Sequence, residues 1–135
     1  MKKLRKTVRQ LVDEANAEVS SVSAEQAIAL AKKDDVLIVD LRDPRERERD
    51  GFIPGSFHAP RGMLEFWVDP ESPYYKDVFG SGKRFVFHCA SGWRSALATK
   101  AVQDMGMEGV SHIATGFKGW VDAGGPVERK APATP

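Results

Sequence analysis

The sequence holds a single cysteine, Cys89, among its 135 residues. One thiol cannot close an internal disulfide, and it cannot make a Cys-x-x-Cys redox pair or a cysteine zinc cluster. A reducing compartment is therefore expected. Neither sign of charge is in excess: 20 Lys+Arg face 19 Asp+Glu, a formal net charge of +1. That balance argues against a general nucleic-acid binder, whose affinity rests on many phosphate-neutralising cations. Long hydrophobic runs are missing too. Nowhere do about 18 apolar residues follow one another, so no membrane span is expected. The basic start Met1-Lys2-Lys3-Leu4-Arg5-Lys6 runs into Arg9, Asp13 and Glu14, not into the roughly 7–15 apolar residues of an export signal. A cytoplasmic protein is the expectation, with an organellar presequence at the Arg-bearing amphipathic start as the alternative. His58, His88 and His112 lack the spacing of metal ligands, so neither a zinc site nor a cofactor is predicted.

What is present predicts one domain with a substantial core, since a chain of this length can bury roughly 68–70% of its unfolded surface. Leu4, Val8, Leu11, Val12 and Ala15 recur at helical spacing, marking an amphipathic helical arm over residues 1–18. It reads as a helix packed on the domain, with a partner-binding arm as the competing reading. Ser23 followed by Gln26 predicts a capping box opening a helix over 24–33. Val36 to Val39 is a continuous β-branched and aliphatic run, the pattern of a strand buried on both faces. The balanced charges of 44–50 read as a solvated helix. Ser56 to Ala59 is a short strand candidate, and the stretch holding Leu64, Phe66, Trp67, Tyr74, Tyr75 and Phe79 reads as short helices and turns between prolines. Strands over 85–87 and 110–113 alternate with helices over 95–105 and 117–123. This alternation predicts an α/β domain over 19–127, with a mainly parallel sheet and helices on both faces. The proline-bearing segment 128–135 reads as a disordered tail.

The chemistry converges on Cys89. A buried strand ends there, a short loop containing Gly92 follows, and a helix begins at about Arg94-Ser95. In open α/β sheets ligands bind beyond the carboxyl ends of the strands. A loop wound round the sulfur can turn successive N–H groups inward, and the next helix adds its positive end, both favouring a nucleophilic thiolate. Residues 78 to 103 contain no acid but hold Lys83, Arg84, Arg94 and Lys100, a charge segregation that suits a small anionic substrate. Arg94 is best placed to hold two oxygens of an oxyanion. A buried structural cysteine is the competing reading. His88, adjacent to Cys89 on a strand, points to the opposite face and is not its expected base.

The stretch Cys89-Ala90-Ser91-Gly92-Trp93-Arg94-Ser95 resembles the active-site loop of the rhodanese-like sulfurtransferases, in which four residues separate cysteine from arginine. Val39 to Glu46 and Gly51 to Pro60 resemble that family's two upstream motifs, and Gly116 to Val127 is similar to its C-terminal signature. The resemblance implies a five-stranded parallel α/β domain and a persulfide mechanism. The Cys89 thiolate attacks the outer sulfur of an anionic donor such as thiosulfate, expels sulfite, and passes the sulfur to cyanide, a thiol or a sulfur-carrier protein. It further implies that the amides of Ala90, Ser91, Gly92, Trp93 and Arg94 cradle the persulfide, that Arg94 binds the donor, and that Ser95 helps close the loop. Arg61 with the Phe66-Trp67 segment is a candidate pocket rim, packing being the alternative. Asp40 and Arg42 read as structural support for the loop. Two other functions stay open: a persulfide carrier or docking module without turnover of its own, and a phosphatase or arsenate reductase. The latter resemble Cys-x5-Arg, one residue longer than here, and arsenate reduction usually uses a second thiol.

Overall fold

The computed structural model describes residues 3–130. Five strands, β1 (Ser20–Val22), β2 (Val36–Asp40), β3 (Phe57–His58), β4 (Arg84–His88) and β5 (Val110–Ile113), form one sheet in the order β1-β5-β4-β2-β3. Every pairing is parallel, with Ile38 opposite Val86 and Phe87 opposite His112 at the centre. Among the described residues six α-helices complete the domain: α1 (Val8–Glu18), α2 (Ala24–Leu30), α3 (Pro44–Asp50), α4 (Leu64–Val68), α5 (Trp93–Asp104) and α6 (Gly116–Asp122).

Because strand side chains alternate, each central strand feeds two cores. Val39, Phe85, Phe87 and Val110 pack with Leu64, Ala98 and Val102 from α4 and α5. Ile38, Val86 and Ile113 pack with Ala27, Phe117 and Trp120 from α2 and α6 on the other face. A third, smaller cluster joins Val12 and Ala15 of α1 to Ala96 of α5. The N-terminal helix is thus packed on the domain, while Leu4, Val8 and Leu11 are exposed. Met1 and Lys2 lie outside the described residues.

The capping box forms as expected: Gln26 N–H donates to Ser23 Oγ at 3.1 Å and Ser23 N–H to Gln26 Oε1 at 2.8 Å. Several boundaries differ from expectation, each for a local reason. Helix α2 stops at Leu30 because 3₁₀-type bonds, Lys32 N–H to Ala29 and Lys33 N–H to Leu30, tighten its end ahead of β2. The strand expected over Ser56 to Ala59 shrinks to two residues, since Ser56 N–H is spent on a turn to the Ile53 carbonyl. Strand β1 has no periodicity to betray it: three residues, mostly exposed, held by pairing with β5. The expected tail is corrected at its start. Glu128 exchanges two 2.8 Å backbone bonds with Phe52, and Arg129 donates from its guanidinium to the Arg49 carbonyl at 2.7 Å. The rest of that expectation, residues 131–135, falls outside the described residues.

Candidate active site

Cys89 follows the last residue of β4 and is buried. The loop after it is tied down from outside. Phe117 N–H donates to the Cys89 carbonyl at 2.8 Å and Lys118 N–H to the Ala90 carbonyl at 3.2 Å, so the start of α6 takes up the loop carbonyls. Its own amides then turn inward: Gly92 N–H donates to Cys89 Sγ at 3.2 Å and Ser95 N–H at 3.4 Å. Gly92 achieves this at φ +104°, with its Cα so close to the Ala114 carbonyl oxygen that a Cβ has no room. Helix α5 begins at Trp93, two residues earlier than expected, because the sulfur accepts the third-position N–H that an N-cap side chain usually takes.

The loop residues are arranged in two sets. Gly92 and Ser95 address the sulfur directly; Ser95 is buried, and its Oγ lies 3.6 Å from Sγ. Ala90 and Ser91 form the outer turn, and Ala90 lines a cavity of about 380 Å³ together with Arg42, Phe117 and Lys118. Trp93 points to solvent. A larger hollow, lined by Pro44, Phe52, His58 and Glu128, lies under the C-terminal segment and does not include the loop.

Arg94 is not a free cation. Its Nη1 donates to Glu46 Oε1 at 2.7 Å and its Nη2 to Glu46 Oε2 at 2.9 Å, a bidentate pair across 48 residues of sequence. The hydrogen bond from Arg94 holds the Glu46 carboxyl below its ordinary range, and Glu46 in turn raises Arg94. The expected basic field is corrected accordingly. Acids from elsewhere meet the other cations of the acid-free segment except one: Asp35 lies 3.5 Å from Arg84, and Glu18 and Asp104 lie 3.0 and 2.6 Å from Lys100, while Lys83 donates to the Asp34 backbone carbonyl, which carries no charge. Charge segregated along the chain is largely neutralised in space.

Glu46 is one residue that sequence reasoning missed. It sits in the charge run of α3, where its N3 position in the Asp43 capping box, Asp43 N–H to Glu46 Oε1 at 3.2 Å, fixes its side chain. The Asp-x-x-Glu spacing was visible in sequence; the partner was not.

Asp40 and Arg42 are fully buried and doubly bonded, at 3.0 and 2.9 Å, and Arg47 adds a 2.8 Å bond to Asp40. Burial works to raise the Asp40 carboxyl, but the Arg42 hydrogen bonds and charges around it hold it well below the usual carboxylate range. Arg42 also donates to the Gly51 carbonyl at 2.8 Å and lies 4.1 Å over the Phe117 ring, the residue whose amide fixes Cys89. Arg61 is bonded to Glu65 of α4 at 2.7 Å. His88 faces away from the sulfur; burial pushes it down to about 4, and its Nε2 has no hydrogen-bond partner among the described residues. No group of His, Cys, Asp and Glu among the described residues could hold a metal ion.

This architecture, a parallel sheet presenting a cysteine in a four-residue loop closed by arginine, has known counterparts. The Rhodanese-like domain family matches residues 23–123. The chain belongs to that family. A solved Rhodopseudomonas palustris protein of unknown function, described as a possible tyrosine phosphatase, is similar at 55% identity and a TM-score of 0.91, over 95% of this chain and 98% of that one. A "Sulfurtransferase" of Allochromatium vinosum is 32% identical over 82% of this chain and 92% of its own length. The "Dual specificity phosphatase Cdc25" of Arabidopsis thaliana is 30% identical over 84% of this chain and 80% of its own length. The rhodanese-like domain here therefore sits among sulfurtransferases and proteins named as phosphatases, and its own loop has to discriminate between the two chemistries.

Proposed function

We propose that this rhodanese-like domain moves a sulfane sulfur from a small anionic donor such as thiosulfate, through a Cys89 persulfide, to a thiol or sulfur-carrier acceptor in a reducing cytoplasm. The observation that carries it is the convergence of the Gly92 and Ser95 amides on the sulfur itself, at 3.2 and 3.4 Å. A phosphatase needs those amides around a phosphoryl group that stands beyond the sulfur, which calls for a wider loop. Here four residues separate Cys89 from Arg94, and the loop closes on one atom. A cysteine held this way is a nucleophile for covalent catalysis in two half-reactions, with ping-pong kinetics as the signature. No described helix is long and apolar enough to cross a membrane.

The deciding experiment presents thiosulfate, mercaptopyruvate and a small phosphate ester side by side, with intact mass spectrometry of the protein. Thiosulfate is expected to add one sulfur, about 32 Da, and Cys89→Ser to abolish both the adduct and the transfer to cyanide while the fold is kept. A folded protein that gains no sulfur but cleaves the ester makes the domain a phosphatase. Sulfur loading without turnover on small acceptors makes it a carrier module.

A further inference from the structure

Ser95 Oγ lies 3.6 Å from Cys89 Sγ and 2.9 Å from Nδ1 of His112, and the other ring nitrogen, Nε2, lies 3.0 Å from Oδ1 of Asn16. Side chains from the end of β4, from α5, from β5 and from α1 therefore form one hydrogen-bonded line running from the sulfur to the surface. Ser95 and His112 are buried, whereas Asn16 is exposed on α1. An amide oxygen can only accept, so Nε2 carries the ring hydrogen and Nδ1 is the acceptor. The Ser95 hydroxyl then donates to Nδ1 and keeps a lone pair for the thiol hydrogen. Every donor points away from the sulfur, the direction in which a proton must leave it.

We propose that Ser95, His112 and Asn16 are a proton relay for Cys89, with His112 as the base, Ser95 as the intermediary and Asn16 as the positioning residue that fixes the ring. It rests on Cys89 being the sulfur-accepting nucleophile. The S–H bond breaks as an O–H bond forms at Ser95, the hydrogen already on Ser95 passes to Nδ1, and the sulfur keeps the electron pair. The imidazolium so formed has both N–H groups satisfied, by Ser95 and by Asn16, with no rotation of the ring. The thiolate attacks the outer sulfur of thiosulfate; the S–S bond of the donor breaks and sulfite leaves with its electron pair. After the persulfide takes a proton from solvent, an acceptor thiolate attacks the outer sulfur, which leaves with its hydrogen. The electron pair returns to Cys89, and His112 gives the proton back along the same path. The arrangement follows the general logic of a nucleophile, a base, and a third group orienting the base.

The surroundings leave His112 to this task. Burial lowers its pKa, so the ring is neutral and able to accept near neutral pH. Among the charged groups on the elements packed about it, Arg94 of α5 is bonded to Glu46, and Lys100 of α5 to Glu18 of α1 and to Asp104. Glu14 of α1 pairs with Lys6, and Arg9 and Asp13 are exposed. Strand β1 brings only Ser20, Ser21 and Val22, and His88 of β4 belongs to the opposite face with Phe117. Asn16 lies outside the residues that match the family, 23–123, so α1 is placed to contribute to the site rather than only to pack on it.

The test follows alkylation of Cys89 by iodoacetamide between about pH 5 and 10, which reads thiolate and not turnover. His112→Gln offers Ser95 an acceptor and Asn16 a donor but cannot take a proton. Its profile is expected to move to higher pH, with a rate at neutral pH lower by about tenfold or more. Asn16 is at the surface, so its variants spare the core. Asn16→Asp, which favours the imidazolium, is expected to move the profile to lower pH and Asn16→Ala to higher pH. If His112→Gln does not fold, that ordered series decides alone. Coincident profiles across the Asn16 series, or a His112→Gln profile matching the native one, overturn the relay. A sulfur adduct of about 32 Da with a profile indifferent to His112 overturns the relay and leaves sulfur transfer standing. A profile that follows His112 with no adduct does the reverse.

Discussion

Arg94 and Glu46 face each other through two parallel hydrogen bonds of 2.7 and 2.9 Å, so the guanidinium at the mouth of the Cys89 loop is already occupied by a carboxylate. Both groups are only partly exposed, at 40% and 16% of their side-chain surface, which keeps the pair from being dissolved by solvent. An anionic donor must therefore compete with Glu46 for Arg94. Glu46→Gln is expected to lower the KM for thiosulfate by several-fold with kcat little changed, and to make that KM more sensitive to salt as the released cation attracts anions. Arg94→Ala is expected to raise KM by about tenfold, on the order of 1.4 kcal/mol of lost donor binding. Steady-state kinetics at two ionic strengths measures both. If Glu46→Gln raises KM as Arg94→Ala does, Glu46 positions the arginine and does not compete for it.

Gly92 is the backbone on which the loop turns. At φ +104° any side chain is strained, and a Cβ collides with the Ala114 carbonyl oxygen, a backbone atom with nowhere to go. Gly92→Ala should therefore move the Gly92 amide off Sγ and cost more than the roughly 1 kcal/mol of a simple αL penalty. Sulfur loading should fall much further than stability does. Chemical denaturation beside a thiosulfate loading assay checks this; full loading by Gly92→Ala would remove that amide from the site.

The fold was legible wherever burial imposes a pattern. The apolar runs of β2 and β4 lie between helices and are covered on both faces, so their composition declares them, while β5 shows only Val110 and Ile113 bracketing two polar residues. Strand β1 was not legible because two of its three residues are exposed and only its partner β5 specifies it. The nucleophile and its loop could be read from spacing, because the turn around the sulfur is built by consecutive residues. Glu46, His112 and Asn16 reach the site from distant parts of the chain; the spacing from Asp43 marks Glu46 as a capping residue, but nothing local in a run that reads as a solvated helix points to Arg94 as its partner. The expected basic field failed for the same reason: pairing in space, not order along the chain, decides a field.

The Asp40–Arg42 pair, with both side chains almost wholly inaccessible, tests whether the loop is supported from β2. Removing one member of a buried pair leaves the other uncompensated, which typically costs about 3–5 kcal/mol. Asp40→Asn should therefore destabilise the domain by about that much, while Arg42→Lys should cost somewhat less, since a lysine keeps the charge but loses the two-pronged geometry and the stacking on Phe117. Urea denaturation measures both. A change under about 1 kcal/mol for Asp40→Asn would show that the substituted amide oxygen and the Gly51 carbonyl can satisfy Arg42 without the carboxylate charge.

His88 sets the direction of the domain's acid sensitivity. In the unfolded chain its imidazole titrates near 6.5, but in the fold burial pushes it down to about 4, against the pull of the Asp40 carboxylate 3.8 Å away. Between those two values the unfolded state binds a proton that the native state refuses, so stability is complete above about pH 6.5 and falls as the pH drops toward 4. At about 1.36 kcal/mol per unit, the loss is on the order of 3 kcal/mol across the window. Burial lowers His112 as well, which adds to the fall in the same direction. Glu46, held low by its hydrogen bond from Arg94, and Asp40, held low by Arg42 despite its burial, begin to give up their contributions near the ordinary carboxylate range, at the acid end of the window, and leave its upper part to the histidines. Unfolding free energies of the native chain and of His88→Gln, taken at steps from about pH 7 to 4.5, isolate the effect as a difference in slope, independent of any constant cost of the substitution. The native chain should lose stability more steeply, and parallel curves would assign the acid sensitivity to groups other than His88.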